Sequence, residues 1–306
     1  MGQLGGYTKK IYNESHCSPS SDNNNNNSCL DDELILKVSK IVNKLIKNKK
    51  DYEEIDINLP INEMHNELCK VLHKMTGCSS EACWLNIKNL MKELGGDGDN
   101  FRDKFKPVMP NKWIKDYNTW LRTGDIEKCL EQYEDSHKNF YFYGAVPIDF
   151  SDCSVSNLCS FDLDEHLNNK KNKIGVVFNT DPHDEPGQHW ISLYVDILGR
   201  NIKNTPAIYY FDSYGDKPTT EIRDLINKIK EQGKKRDIDF KYLYNDYPYQ
   251  KKNYQCGMYS IYFINEMLRD ISFKKFLNQE LTDKIMKNKR KEYFISPEEI
   301  KCKYNL

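Results

Sequence analysis

Apolar residues recur at helical spacing in the first third of the chain. One predicted helix has an apolar face of residues at intervals of four and three, namely Leu34, Val38, Ile41 and Leu45. The same periodicity predicts two further helices, over residues 61–75 and 79–94. The run Gly-Asp-Gly-Asp-Asn at 96–100 then interrupts the pattern and marks a boundary.

This patterning divides the chain into three parts. The helices predict a helical arm domain over residues 31–105. The polar, Asn-rich residues 1–30 cannot bury enough apolar surface to offset the entropy of ordering, and they are predicted to be a disordered tail. Residues 106–306 are predicted to be one core domain, because strand-like and helical segments mix from there onward.

Strand-like segments in the core domain are rich in β-branched and aromatic residues. They are Phe140–Tyr143, Ile174–Phe178, His189–Ile197, Ala207–Phe211 and Phe240–Tyr244. Residues 219–232 are predicted to be helical and 257–268 to form a largely apolar, buried helix. The mixture of strands and helices predicts an α+β fold.

Composition narrows the class of protein. The 306 residues include 45 Lys and Arg against 46 Asp and Glu, a net charge of −1, which argues against wholesale binding of nucleic acid. No apolar run approaches the roughly 20 residues of a membrane span, and the start lacks the order of a secretory signal. We therefore expect an intracellular protein without membrane contact. Its ten cysteines are expected to be reduced thiols.

Four residues in the core domain have the types that thiol catalysis needs. Cys256 opens a predicted buried helix, where backbone N–H groups and the helix dipole favour the thiolate. His189, at the start of a strand, would serve as base and then acid, and Asp212, at the end of the next strand, would orient it. Gln250 and the Cys256 N–H would hold the oxyanion.

The order of these residues resembles that in the circularly permuted branch of the papain-like cysteine proteases, the Ulp/adenain type. Its motifs are a His-Trp dipeptide that begins a strand, a strand that ends in Asp-Ser, and Gln-x5-Cys-Gly before a helix. Here they read His189-Trp190, Asp212-Ser213 and Gln250 to Gly257. The resemblance is closer still to the proteases of large DNA viruses, such as the African swine fever virus polyprotein protease, although that enzyme has Asn in the third catalytic place.

This resemblance implies a fold with a central mixed sheet flanked by helices, preceded by a helical arm. It also implies substrate-binding roles for Trp190, as a wall of a glycine tunnel, and for Asn179 and Gly257. We expect an endopeptidase that cleaves after Gly-Gly-x sites in a viral structural polyprotein during virion maturation, without a metal or other cofactor. Such an enzyme would work in the host cytoplasm, at the viral factory, and in the virion. An activating peptide or nucleic acid is left open.

Two alternative functions fit the same motifs. One is the deconjugation of SUMO, NEDD8 or ubiquitin, which also end in Gly-Gly, in the cytoplasm or nucleus. The other is an inactive module that binds a ubiquitin-like tail. A self-cleavage site at Gly5-Gly6 is also left open.

Several residues compete with these assignments. Cys69, His73, Cys78 and Cys83 have a spacing that could bind zinc, but they fall among predicted core positions. Asp196 is a rival carboxylate for His189. It lies seven residues along the same strand, over roughly 20 Å away at about 3.3 Å per residue. The Lys-rich stretches 228–241 and 284–291 are read as solvated faces.

Overall fold

The computed structural model describes residues 14–21 and 27–304. They divide into two compact units, one within Met1–Ile114 and Lys291–Leu306 and the other spanning Lys115–Arg290. We call the first the helical unit and the second the sheet unit. No helix in the described ranges has the length and apolar character needed to cross a bilayer.

The helical unit is built from short amphipathic helices around one apolar core. Its helices are α1 (Asp32–Ile46), α2 (Ile61–Thr76), α3 (Lys88–Leu94), α4 (Gly98–Asp103) and α5 (Asn111–Lys115), the last ending at the unit boundary. α1 begins where the Asp31 carboxylate accepts the Leu34 N–H at 2.9 Å, as an N-cap does. α1 packs against α2 and α3 through the apolar face that its sequence predicts.

The helix predicted over 79–94 is interrupted. A 3-10 helix, Glu81–Asn86, precedes α3, and between them Ile87 adopts an extended conformation with φ −83° and ψ 97°. Helical periodicity persists across such a break because both segments bury the same face. The apolar pattern therefore could not reveal it.

Both ends of the helical unit differ from the predicted domain limits. His16, Cys17 and residues 28–30 are buried in this unit, although they fall in the predicted disordered tail. Residues 291–304 also belong to it and not to the core domain, since Ile295 and Ile300 are buried in its core. Gly5-Gly6 lies outside the described residues.

The sheet unit contains a mixed sheet, which confirms the α+β prediction. Its strands, in the part of the chain that the structure describes, are β1 (Phe140–Val146), β2 (Lys173–Asn179), β3 (Trp190–Asp196), β4 (Ala207–Phe211) and β5 (Lys241–Tyr244). They lie in the order β1-β2-β3-β4-β5. The outer pairs β1/β2 and β4/β5 are parallel, and the inner pairs β2/β3 and β3/β4 are antiparallel.

Helices cover both faces of this sheet. The helices of the sheet unit are α6 (Thr123–Leu130), α7 (Gln132–Ser136), α8 (Leu163–Asn168), α9 (Thr220–Lys234), α10 (Cys256–Leu268), α11 (Phe273–Leu277) and α12 (Asp283–Tyr293), whose last residues, from Lys291, belong to the helical unit. On one face Ile191, Leu193 and Val195 pack into a cluster with the apolar residues of α9. The opposite face packs against α10, where the rings of Phe211 and Phe263 stack at 5.2 Å.

The antiparallel pairing of β3 and β4 determines where the site forms. Residues that precede β3 and residues that follow β4 lie at the same edge of the sheet, because Ser192 is paired with Phe211. His189 and Asp212 occupy these two positions.

The expectation of reduced thiols is wrong for six cysteines. Cys17–Cys29, Cys78–Cys83 and Cys153–Cys159 form disulfides, with Cα separations of 5.1, 5.6 and 5.2 Å that fit the usual range for such bonds. Of the cysteines in the described ranges, Cys69, Cys129, Cys256 and Cys302 are not disulfide-bonded. Composition alone could not show which pairs the fold brings together.

Candidate active site

His189 and Asp212 meet at the edge of the sheet. The His189 Nε2–H donates to the Asp212 Oδ1 at 2.7 Å, and the two side chains are only 12% and 4% exposed. The same Oδ1 accepts the Tyr214 N–H at 2.8 Å, within the turn that follows β4. The carboxylate is therefore held on both sides, and it fixes the imidazole ring.

Cys256 is the first residue of α10 and is buried. A side-chain hydrogen bond joins it to His189. Burial alone would lower the pKa of His189, but hydrogen bonds to Asp212 and Cys256 and the charges of both groups outweigh it and raise the pKa to about 9. The geometry therefore favours an imidazolium beside the thiol, at the end of a helix where a thiolate is stabilised.

Gln250 lies next to the residues that follow Asp212. Its Oε1 accepts the Ser213 hydroxyl at 2.7 Å, and its backbone N–H donates to the Ser213 carbonyl at 2.9 Å. Its Nε2 donates to the Tyr214 hydroxyl at 3.2 Å and to the Lys252 carbonyl. Gln250 is buried, and both N–H donors of its side-chain amide have acceptors within the turn region.

Tyr214 lies beside three of the predicted site residues, although its own role was not predicted from the sequence. Its ring stacks on that of His189 with centroids 4.6 Å apart and planes 29° apart. Partial burial, and then the nearby charge of Cys256, raise the pKa of Tyr214. One aromatic side chain thus borders His189, Gln250 and Cys256.

Asn245 fixes the backbone of Asp212. Its Oδ1 accepts the Asp212 N–H at 3.0 Å and its Nδ2 donates to the Asp212 carbonyl at 2.6 Å. Such a two-point clamp needs a side chain with both a donor and an acceptor. No periodicity could have shown it, because the contact spans 33 residues of chain.

Arg290 anchors the start of α10, and the prediction of a solvated face over 284–291 is wrong at this position. Arg290 is 0% exposed, and its guanidinium donates to the Gln255 Oε1 at 3.2 and 3.3 Å. Burial lowers the pKa of Arg290 to about 10, opposed in part by acidic neighbours and by Cys256. A buried cation therefore holds the residue that precedes the thiol.

Trp190 and Gly257 contact each other through Leu121. The Trp190 indole N–H donates to the Leu121 carbonyl at 3.0 Å. A Cβ on Gly257 would lie 2.9 Å from the Leu121 Cβ and 3.4 Å from the Trp190 ring. Glycine at 257 thus makes room for these two side chains, and its substrate-binding role stays a prediction.

Asn179 holds the loop that leads to His189. Its Oδ1 accepts the N–H groups of Asp181 and Gln188 at 3.1 and 3.3 Å. Its side chain also packs where a Cβ on Gly187 would stand, and Gly187 has a φ of +85°. The contacts of Asn179 are those of a turn-former, and its substrate-binding role stays a prediction.

The competing residues lie elsewhere. Asp196 ends β3, away from His189, and there its Oδ2 accepts the Asn201 N–H at 2.8 Å. The four residues of the considered zinc site do not converge. Cys69 contacts His65 at 3.4 Å, and His73 bonds through Nδ1 to the Cys78 carbonyl at 2.7 Å.

Comparison with known proteins identifies the family. The family model described as the Ulp1 protease family, C-terminal catalytic domain, matches residues 125–304, more than half of the chain. The chain belongs to the Ulp1 protease family. It is a cysteine protease, and the alternative of an inactive binding module is wrong.

Relatives of this Ulp1-family protease come from large DNA viruses. A thiol protease of Acanthamoeba polyphaga mimivirus is 31% identical over 289 residues, 91% of this chain and 92% of that protein. A cysteine protease of African swine fever virus is 25% identical over 252 residues, 76% of this chain and 89% of that protein. The similarity therefore includes much of the helical unit as well as the sheet unit.

The fold is also found in a solved structure. The crystal structure of an African swine fever virus protease matches with a TM-score of 0.63 at 20% identity, over 94% of this chain and 98% of that one. This match confirms the predicted architecture, a mixed sheet flanked by helices with a helical N-terminal region.

Proposed function

We propose that this protease is an endopeptidase in which Cys256 is the nucleophile and His189 transfers the protons. Asp212 orients the imidazole, and Gln250 with the Cys256 N–H binds the oxyanion. The observation that carries the proposal is the bonding of His189 to Asp212 on one side and Cys256 on the other, at the first residue of a helix.

The chemistry follows from the protonation state of this pair. The Cys256 thiolate attacks the peptide carbonyl carbon, and the carbonyl oxygen becomes an oxyanion that accepts from Gln250 and the backbone N–H. The His189 imidazolium then gives its proton to the departing amine, and a thioester remains. A water molecule loses a proton to the neutral imidazole as it attacks the thioester. Collapse releases the carboxylic acid and the Cys256 thiolate.

The substrate proposed for this site is a viral structural polyprotein cleaved after Gly-Gly-x. Two observations support it. The relatives described above are viral proteases whose length this chain nearly matches. In addition, the Trp190 ring lies 3.4 Å from where a Cβ on Gly257 would stand, next to the nucleophile. An aromatic wall in that position favours substrate residues without side chains. This processing would take place in the host cytoplasm and in the virion.

A second candidate substrate is a SUMO-type conjugate. Some African swine fever virus relatives, 25% identical over 252 residues, carry the name SUMO-1 cysteine protease. SUMO-like proteins end in the same Gly-Gly sequence, so the catalytic residues alone do not distinguish the two substrates.

One experiment tests both the assignment of the nucleophile and the choice of substrate. Wild type, Cys256→Ala and Cys129→Ser are incubated with a panel of Gly-Gly-x peptides and with fluorogenic SUMO and ubiquitin substrates. Cys129 is a second buried cysteine of the sheet unit that is not in a disulfide, and it serves as the matched control. We expect Cys256→Ala to lose at least about 10⁴-fold in rate, whereas Cys129→Ser stays active.

The substrates then separate the two candidates. Peptide cleavage without a preference for a folded modifier supports polyprotein processing, and faster cleavage of SUMO supports the second candidate. Equal activity of Cys256→Ala and wild type would overturn the assignment of the nucleophile.

A further inference from the structure

Three cysteines converge in the helical unit, whereas the candidate catalytic residues belong to the sheet unit. Cys78 lies in the connection after α2, Cys83 lies in the 3-10 helix Glu81–Asn86, and Cys302 comes from the C-terminal segment. The Cys302 Sγ is 3.2 Å from that of Cys78 and 3.6 Å from that of Cys83. All three sulfurs lie within 4.8 Å of one another. We call them the trithiol cluster.

Backbone contacts hold this cluster in place. α2 ends at Gly77, which has a φ of +69°, and the Cys78 N–H donates to the Thr76 hydroxyl at 3.1 Å. The N–H groups of Lys303 and Tyr304 both donate to the Thr76 carbonyl, at 2.8 and 3.0 Å. The segment that carries Cys302 is therefore docked next to the Cys78 turn by its main chain as well as by its sulfur.

The position of Cys302 does not suit exchange with the Cys78–Cys83 disulfide. A thiolate attacks a disulfide along the S–S axis, so it would lie about 2 Å farther from the far sulfur than from the near one. The two distances here differ far less, 3.2 against 3.6 Å. The Cys302 sulfur sits beside the bond, as a third corner of a compact triangle.

We propose that the trithiol cluster, once reduced, binds one Zn²⁺ ion, with a water molecule in the fourth position. Thiolates bind Zn²⁺ tetrahedrally at about 2.3 Å, which places the sulfurs roughly 3.8 Å apart. The distances from the Cys302 Sγ to the sulfurs of Cys78 and Cys83 are already close to this separation. The four-residue spacing of Cys78 and Cys83 is also within the range found in zinc-binding loops.

A small thiol can reduce the Cys78–Cys83 disulfide before the metal binds. Two molecules of a glutathione-class thiol supply two electrons and two protons to the Cys78–Cys83 bond and become a disulfide themselves. The three protein thiols then release three protons as Zn²⁺ binds. The ion would link the C-terminal segment to the turn after α2.

The test uses the 306-residue chain, purified with reductant and without chelator. Zinc is measured by mass spectrometry, and Co²⁺ is then exchanged in to record the sulfur-to-cobalt charge-transfer and d–d bands. We expect about one ion per chain in wild type and a tetrahedral, thiolate-rich cobalt spectrum. Cys302→Ser should lower metal affinity by more than about tenfold. Cys129→Ser and Cys256→Ala, which keep the cluster, should bind as wild type does.

Three outcomes would overturn the proposal. They are a reduced wild type that takes up no stoichiometric metal, a Cys302→Ser protein that binds as tightly as wild type, and a cobalt spectrum without thiolate bands. Circular dichroism checks that each variant folds, and Cys78→Ser provides a second variant. Proteolysis is not a readout here, so a failure of the zinc site is separate from a failure of the proposed catalysis.

Discussion

Among single residues, His189 should make both stability and activity depend on pH, because its protonation state changes within the accessible pH range. Its pKa of about 9 lies above the ordinary value of 6.5. The pair with Asp212 therefore stabilises the fold fully below about pH 6.5, and this contribution is lost as pH rises through about 9. In the proposed mechanism the His189 imidazolium protonates the leaving amine, and this form is lost as pH rises through about 9.

We therefore expect the alkaline limb of kcat/KM to fall near pH 9. Asp212→Asn keeps a hydrogen-bond acceptor but removes the charge, and it should move this limb down by about one to two pH units. A pH profile of peptide cleavage from pH 5 to 10 measures both. An alkaline limb that stays in place in Asp212→Asn would show that the carboxylate does not set the charge of His189.

Tyr214 should act through the groups it positions. Tyr214→Phe removes the hydroxyl that accepts from Gln250 but keeps the ring on His189. We expect kcat to fall roughly tenfold with little change in KM or in the pH profile, because one oxyanion donor loses its orientation. Tyr214→Leu also removes the stacked ring, and it should shift the alkaline limb as well. Equal kcat for Tyr214→Phe and wild type would contradict this role.

At the scale of elements, the close approach of α10 to its neighbours requires a glycine. Gly257→Ala would place a Cβ 2.9 Å from the Leu121 Cβ, an atom that cannot move without its backbone. We expect the free energy of unfolding to fall by about 1–3 kcal/mol, as in other overpacked cores, and chemical denaturation measures it. Gly124→Ala is the matched control. It lies in α6 with nothing within 4 Å of its Cβ, so it should be neutral or stabilising.

Elements that are apolar runs between polar residues could be predicted from the sequence, as β4 and α10 show. β4 occupies the predicted residues 207–211, and α10 begins one residue before the predicted 257. Both are apolar runs bounded by polar residues. The break at Ile87 was not predictable, because the buried residues on both sides of it, Trp84, Leu90 and Leu94, keep helical spacing with Ile87.

Within the candidate site, too, residues with a local sequence pattern could be predicted and residues without one could not. His189 and Cys256 were found because each stands at the start of an element, next to residues that form a recognisable motif. Asn245 and Arg290 were missed because each acts through a partner more than 30 residues away, as the separations of 33 and 35 show. A contact of that range depends on the assembled fold and leaves no periodic trace in the chain.

At the scale of the whole molecule, the last residues of the chain return to the helical unit. Ile300 is 3% exposed within the core of that unit, and its carbonyl accepts the Asn86 side-chain amide at 2.7 Å. The unit is therefore closed by residues from both ends of the sequence. Its stability should depend on this segment independently of the catalytic residues.

Ile300→Ala tests this dependence. Removing a buried isoleucine side chain from a packed core should lower the free energy of unfolding of the helical unit by about 2–5 kcal/mol. Ile57→Ala is the matched control in the same unit, because Ile57 is 39% exposed and its truncation should cost little. Amide hydrogen exchange of α1 and α2, followed at increasing denaturant, reports on this unit separately from the sheet unit. If Ile300→Ala were as stable as Ile57→Ala, the C-terminal segment would not be part of the cooperative core.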